Sequence, residues 1–257
     1  MIRRRINPYF CPGQFLSEII KALKMKKINL FLLVIILVTV PLITFSQTQI
    51  PIKLGLKISP NIGWMSPGTK GYESDGARLG MTIGFVSDFY FAENYAISTG
   101  FNFQFLNGMM SYSDSLLIPG NANLLNGQVN RIYKFIYLEI PLMIKMETKT
   151  FGKMSFYGQI GLGTAFRVSA KVKEHFEPDT YEAVDQQYDF NNGTTLIRES
   201  ILVGIGSAYH LDESSRIFVG FGYSNGLNNL LTGVNYKSKL NEKSLLNYAE
   251  LNIGILF

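Results

Sequence analysis

The chain predicts an all-β fold, an eight-stranded antiparallel up-and-down transmembrane β-barrel. Three observations carry that reading. Apolar residues return with period two in eight separate stretches, the connections between the stretches alternate long and short, and an export segment precedes them. Past the N-terminus no run reaches the roughly 18 apolar residues of a membrane helix. Yet 47% of the residues are hydrophobic and only 17% charged. A chain so apolar, with 24 glycines, buries its apolar residues in a core or turns them to lipid through a strand pattern.

The export segment comes first. Met25-Lys26-Lys27 forms a positive n-region, Leu30 to Val40 an apolar h-region, and Thr44-Phe45-Ser46 a small-residue end, which together read as a secretory signal cleaved before Gln47. A membrane-anchoring helix is the competing reading, but it would be short, with Pro41 near its end. Residues 1–24, interrupted by Pro8 and Pro12, make a poor n-region, so translation is expected to start at Met25. The division is therefore 1–46, extension plus signal peptide, and 47–257, barrel domain.

That boundary changes the charge argument. Seven of the 24 Lys/Arg but one of the 19 Asp/Glu lie in 1–46, so the remainder is close to neutral and offers no basic surface for nucleic acid. The single cysteine, Cys11, also lies there, which leaves the barrel domain without disulfide, thiolate ligand or thiol nucleophile.

The strands follow in order. Ile52, Leu54, Leu56 and Ile58 alternate with Lys53, Gly55, Lys57 and Ser59; Leu79, Met81, Ile83 and Phe85 with Arg78, Gly80, Thr82 and Gly84. Tyr95, Ile97, Phe101, Phe103 and Phe105 make the third. The fourth sets Ile132, Ile136, Leu138, Ile140, Leu142 and Ile144 against Tyr133, Tyr137, Glu139, Met143 and Lys145. Phe156, Ile160, Leu162, Phe166 and Val168 oppose Tyr157, Gln159, Gly161, Gly163 and Arg167. Ile201, Val203 and Ile205 oppose Arg198, Ser200, Gly204 and Gly206. Ile217, Val219, Phe221 and Tyr223 oppose Arg216, Gly220, Gly222 and Ser224. Leu251, Ile253, Ile255 and Phe257 oppose Glu250, Asn252 and Gly254. Eight is an even number, as closure of a bacterial up-and-down barrel requires.

Connections near 60–77, 107–130, 171–194 and 226–243 are expected as long loops, and those at 91–94, 147–153 and 211–215 as short turns. Outer-membrane barrels place long loops outside and short turns in the periplasm, which puts both termini in the periplasm. A soluble barrel would alternate too, with apolar residues inward. The face opposite the apolar one is mostly Gly, Ser, Ala, Asn and Gln, which suits a narrow lumen better than a soluble exterior. Aromatics also gather at one short turn (Phe89, Tyr90, Phe91, Tyr95), as at a membrane interface, and the chain stops inside its last strand.

Tyr137-Leu138-Glu139-Ile140-Pro141-Leu142, the Gly55-Leu56-Lys57 strand and the Phe89-Tyr90-Phe91-Ala92-Glu93-Asn94 turn resemble the PorT-like outer-membrane barrels of Bacteroidetes, a Gram-negative group, over roughly residues 52–257. The resemblance implies an eight-stranded outer-membrane barrel. The family's founding member is tied to a protein-secretion apparatus, while most members have no assigned role. The end Asn252-Ile253-Gly254-Ile255-Leu256-Phe257 is similar to the signal read by the barrel-assembly machinery, matching at Asn252, Gly254 and Phe257.

The candidate site is a charge network in the lumen: Glu139, Lys145, Arg78, Arg167, Arg198, Arg216 and Glu250, with Glu139 paired to one or more of the arginines. Buried charges must pair. In so narrow a barrel the set reads first as a plug that fills the interior, and second as a charged channel or substrate clamp. Pro141, lacking an N–H, is expected to mark a bulge or edge in the wall. The acidic 171–194 stretch could hold a cation through hard oxygen ligands or be a solvated loop. His175 and His210 are placed at opposite ends, so a shared metal or catalytic site is not expected. His175 with Asp179 or Asp185 and Ser111, Ser113 or Ser115 is the one catalytic set that could be assembled, and no motif supports it.

These readings give a non-enzymatic scaffold in the outer membrane with no cofactor. Its expected partners are membrane lipid, the barrel-assembly machinery and an envelope or secretion-complex protein. A narrow pore is the alternative, and a surface enzyme ranks third.

Overall fold

A computed structural model describes residues 51–117, 123–212 and 214–257. The export segment and translation start lie outside the described residues. Nine strands form: β1 (Ile52–Pro67), β2 (Tyr72–Ala92), β3 (Tyr95–Leu116), β4 (Leu125–Glu147), β5 (Met154–Pro178), β6 (Val184–Asp189), β7 (Ile197–His210), β8 (Arg216–Gly226) and β9 (Ser244–Leu256). Each pairs antiparallel with its neighbour, and β1 pairs with β9, so β1, β2, β3, β4, β5, β7, β8 and β9 close an eight-stranded ring. The seam is fastened by reciprocal bonds, Leu54 N–H to Phe257 O at 2.9 Å and Phe257 N–H to Leu54 O at 2.8 Å.

The apolar set of each strand points outward. Ile52, Leu56, Ile83, Phe101, Ile140, Leu142, Ile160, Ile205 and Phe221 are all exposed, while Ser59, Thr82, Ser98, Asn102, Glu139 and Ser200 are buried within. A soluble barrel would show the reverse. On β4 the outward apolar band runs from Ile136 to Met146, the length of about 9–11 residues that a tilted membrane strand needs.

Above that band the structure departs from expectation. The stretches near 60–77, 107–130 and 171–194 are not long loops: β1 to β5 run on through most of them, β1 and β2 meet in a short turn, and β6 is an added strand beside the upper half of β5. The reason lies in the side chains. Beyond the band the outward positions become polar (Lys134, Asn130, Gln128), whereas the inward positions become apolar (Phe135, Tyr133, Val129). The pattern inverts, as it must where water replaces lipid outside the wall. A crown with a soluble-style core results, built from Met65, Leu106, Met110, Tyr112, Val129, Tyr133, Phe135, Val172 and Phe176. The β8–β9 connection folds into it and buries Leu230 and Leu231.

Pro141 faces inward, where the β3–β4 pairing lapses between Thr99–Leu142 and Asn102–Glu139. The missing N–H falls where that pairing is already interrupted, and the Thr99 hydroxyl satisfies the Pro141 carbonyl at 2.7 Å. Opposite lies Gly100, whose φ of +146° and whose approach to the Phe85 carbonyl, 2.0 Å from where a Cβ would stand, exclude a side chain.

Candidate functional site: the filled lumen

Alternation on β4 stacks the lumen contents in layers, because every second residue points inward. From the short-turn end upward these are Glu147, Lys145, Met143, Pro141, Glu139, Tyr137, Phe135, Tyr133 and Arg131.

The lowest layer is ionic. Lys145 Nζ lies 2.7 Å from Asp88 Oδ2 and 4.6 Å from the Tyr157 ring centroid. Arg216 pairs with Glu147, donates to the Tyr90 hydroxyl oxygen, and lies 3.6 Å from Asp88. Here Lys145 and Arg216 meet Asp88 and Glu147, with Lys53 a third cation at the mouth.

The middle layer holds Glu139 and Arg198, both buried. Glu139 accepts from Asn102 at 2.9 Å and Gln104 at 2.8 Å. Arg198 donates to the Leu246 carbonyl at 2.9 Å and Ser224 Oγ at 2.8 Å, lies over the Tyr248 ring, and comes within 3.9 Å of Glu139. Beside them Lys57 Nζ is 3.4 Å from Glu250 and 3.0 Å from Asn252 Oδ1, which also accepts from Ser59 at 2.8 Å. Above the aromatic layer, Arg131 pairs with Glu174 and reaches Glu242 at 3.5 Å. Tyr188 donates to Glu174 at 3.0 Å and Tyr72 to Glu242 at 3.1 Å.

Five of the seven expected network residues thus lie in the lumen with charged partners: Glu139 with Arg198, Lys145 and Arg216 through Asp88, and Glu250 with Lys57. Two do not. Arg78 sits where the β2–β3 register is irregular, which turns it to the exterior with Nη2 2.7 Å from Met109 Sδ. Arg167 spends its charge on backbone, donating to the carbonyls of Thr194 at 2.5 Å and Thr195 at 3.3 Å, and so ties the segment before β7 to β5. Sequence reasoning missed Lys57, Asp88, Glu147, Arg131, Glu174 and Glu242. Lys57, Asp88, Glu147 and Arg131 keep the inward parity that alternation gives their strands, a usable signal; Glu174 lies beyond a register shift on β5 that reverses the parity, and Glu242 lies in a connection, where parity gives none.

Asn252 serves the Lys57 layer, Gly254 admits the Leu56 carbonyl and Phe218 ring where a Cβ would clash, and Phe257 is exposed at the seam. At the short-turn mouth an open vestibule of about 380 Å³ is lined by Lys53, Tyr90, Glu147, His210 and Arg216, and between the layers above it the spaces are small. One cavity of about 30 Å³ lies among Lys57, Asn102, Lys145, Tyr157 and Asn252, and one of about 20 Å³ among Lys57, Glu139, Gln159, Leu202 and Tyr248. Each is of the order of one water molecule.

The remaining candidates fall outside. His175 bonds Asp185 through Nδ1 at 2.7 Å and Glu177 through Nε2 at 3.0 Å on the outer wall of the crown. The serines do not join it: Ser113 donates to Gln128 and Ser115 to Asn126. Much of the acidic stretch is strand, and among the described residues no three metal-ligating side chains converge. His210 meets Ser155 at 3.0 Å at the other end.

The hydrogen bond with Asp185, then that with Glu177, raises the His175 pKa above its ordinary value of 6.5. A raised value means that the protonated form is favoured in the folded state. Its contribution to docking β6 is present below 6.5 and is lost as pH rises through the raised value. Proteolytic nicking at 179–183 is therefore expected to quicken above that window, and His175→Gln should abolish the pH dependence. A pH-dependent nick that persists in the variant would remove His175 from the account.

Residues 45–232 match the model of a family described as "Outer membrane protein beta-barrel domain". Among solved structures the chain is similar to Neisserial surface protein A, at 10% identity and a TM-score of 0.40, over 80% of this chain and 95% of that one. It is also similar to Ail, the attachment invasion locus protein of Yersinia pestis, at 11% identity and a TM-score of 0.37, over 82% and 100%. A third is the outer membrane protein OprG from Pseudomonas aeruginosa, at 10% identity and a TM-score of 0.32, over 80% and 94%. A search of curated proteins gives no match.

Proposed function

This chain belongs to the outer membrane protein beta-barrel domain family, and from that premise we propose that it is a closed, non-enzymatic scaffold whose crown engages an envelope or secretion-complex protein. The observation that carries this reading is the filled lumen. Ion-paired layers, three stacked aromatic rings and a folded-in connection occupy the interior above the short-turn mouth, and the spaces left between them are water-sized. A solute pathway would need the opposite.

In this reading the short turns and both termini face the periplasm, and the crown stands outside the cell, the usual orientation of such barrels. The PorT-like resemblance of the Tyr137–Leu142 strand supports a place in a secretion or envelope assembly. The barrel-assembly machinery would read Asn252, Gly254 and Phe257 during insertion.

Two measurements test the proposal together. Purified protein in planar bilayers is expected to give negligible conductance, and gentle detergent extraction of native membranes is expected to recover it with a stable companion. Stepwise conductance that falls on neutralising Arg198 or Glu139 would establish the narrow pore instead. A lone particle near the mass of one chain would overturn the scaffold.

A further inference from the structure

The outer wall carries an unexplained concentration of cations immediately above the apolar band. Lys134 on β4 is the next outward residue after Ile136, and Lys171 on β5 is its direct cross-strand partner. Lys173, the next outward residue on β5, is paired with Ile132. Arg78 reaches the same level through Met109, which pairs with Ile132 from the β3 side. Four cations from three strands therefore meet on one face. All four side chains are exposed, and none has an ion pair among the described residues.

Lysines placed directly opposite each other across an antiparallel pair repel, with Cβ atoms about 5 Å apart. Local acids do not relieve this. Asp185 and Glu177 are held by His175, and Asp189, paired in register with Lys171, makes no salt bridge to it. The wall is also concave there. A cavity of about 400 Å³ has an apolar floor of Met109 and Ile132 and a mixed rim, in which Lys173 and the Asn130, Gln186 and Gln187 amides stand beside Glu174 and an Asp185 bonded to His175.

Height decides the ligand. Two residues of strand rise about 7 Å. Lys134 therefore stands within the headgroup layer, which adds roughly 5–8 Å to each side of the hydrocarbon. A phosphate at that height would face Lys134, Lys171 and Lys173 on two adjacent strands, with Arg78 at the edge of the patch, while an acyl chain of the same molecule would lie along Ile136 and Leu138 below.

We propose that this face is a binding site for the phosphorylated headgroup of a membrane lipid in the leaflet beneath the crown. With the crown outside the cell, as proposed above, that leaflet is the outer one.

The test uses the detergent-solubilised barrel and native mass spectrometry with diphosphoryl lipid A as probe. Its fully dephosphorylated form and inorganic phosphate are the comparison arms. Retention of the diphosphoryl form over the dephosphorylated one is expected. Replacing Lys134, Lys171 and Lys173 by Gln should weaken it about fivefold for each lysine removed. The Lys→Arg triple variant should retain it. These side chains are exposed, so both variants should keep the heat-modifiable mobility of the folded barrel. Equal retention of the two lipids, unchanged retention in the Gln variant, or displacement of the lipid by inorganic phosphate at matched concentration would each overturn the site. Orientation is read separately by labelling a cysteine placed at the exposed Leu117 on intact cells. Failure there would move the site to the other leaflet and leave the detergent measurement standing.

Discussion

Replacing Glu139 by alanine is expected to destabilise the barrel by about 3–5 kcal/mol, the cost of leaving a buried charge without its partner. Arg198 is 1% exposed, and its side chain is surrounded by the Leu246 carbonyl, Ser224, the Tyr248 ring and the Glu139 carboxylate. Of these only Glu139 carries negative charge. The carboxylate is also the common acceptor for Asn102 and Gln104, so its removal strands two amide donors as well.

The paired variant separates charge from packing. Glu139→Leu with Arg198→Met removes both charges and keeps the volume, and such replacements are often neutral or stabilising. The double variant is therefore expected to be more stable than Glu139→Ala, and below the parent by about 1–3 kcal/mol, which the buried Asn102 amide loses with its acceptor. Urea unfolding in detergent micelles, followed by the mobility difference between folded and unfolded barrel, reads both. Glu139→Ala within about 1 kcal/mol of the parent would mean that the Arg198 charge is compensated by backbone and water alone, well below what a buried unpaired ion costs.

How much of this was legible in the sequence follows from which residues answer to one rule. Ile136 to Met146 alternates strictly, and lipid on one side with a narrow lumen on the other leaves a single way to orient it. The strand, its outward face and the inward placement of Glu139 and Lys145 all follow. Above Ile136 two rules compete. Lys134 and Asn130 face water, Tyr133 and Phe135 face a core, and the same period-two pattern carries the opposite sense of burial. Read with the membrane rule, those residues look like loop.

Pair partners were less legible than parity. Arg78 and Gly80 were assigned one face from alternation, but the irregular register between Ala77 and Met81 breaks the phase and sends Arg78 outward. Arg167 keeps its parity and still leaves the network, because the carbonyls of Thr194 and Thr195 lie nearer than any acid. Where the register is unbroken, a strand's own alternation tells which side a residue faces. It does not fix which layer of a neighbouring strand lies opposite.

The second large effect belongs to the crown. Phe135→Ala is expected to cost about 3–5 kcal/mol, as truncation of a buried aromatic does in a soluble core. Phe135 is 1% exposed, with ring centroids 6.0 Å from Tyr133 and 5.8 Å from Tyr137, and it is paired in register with Leu106 and Ala170. Three rings fixed on alternate positions of one strand cannot close over the space left by the middle one, since each is anchored to a wall that hydrogen bonds hold in place. The same measurement applied to Leu117→Ala, an exposed residue just beyond the end of β3, should move stability by no more than about 0.5 kcal/mol. The contrast discriminates between two pictures of the protein. If the strands above the lipid were an ornamented rim, both substitutions would be mild and the membrane band alone would set stability. If the crown is a core in its own right, Phe135 is among its least replaceable residues, and the wall above the membrane is rigid enough to present a fixed surface to a partner.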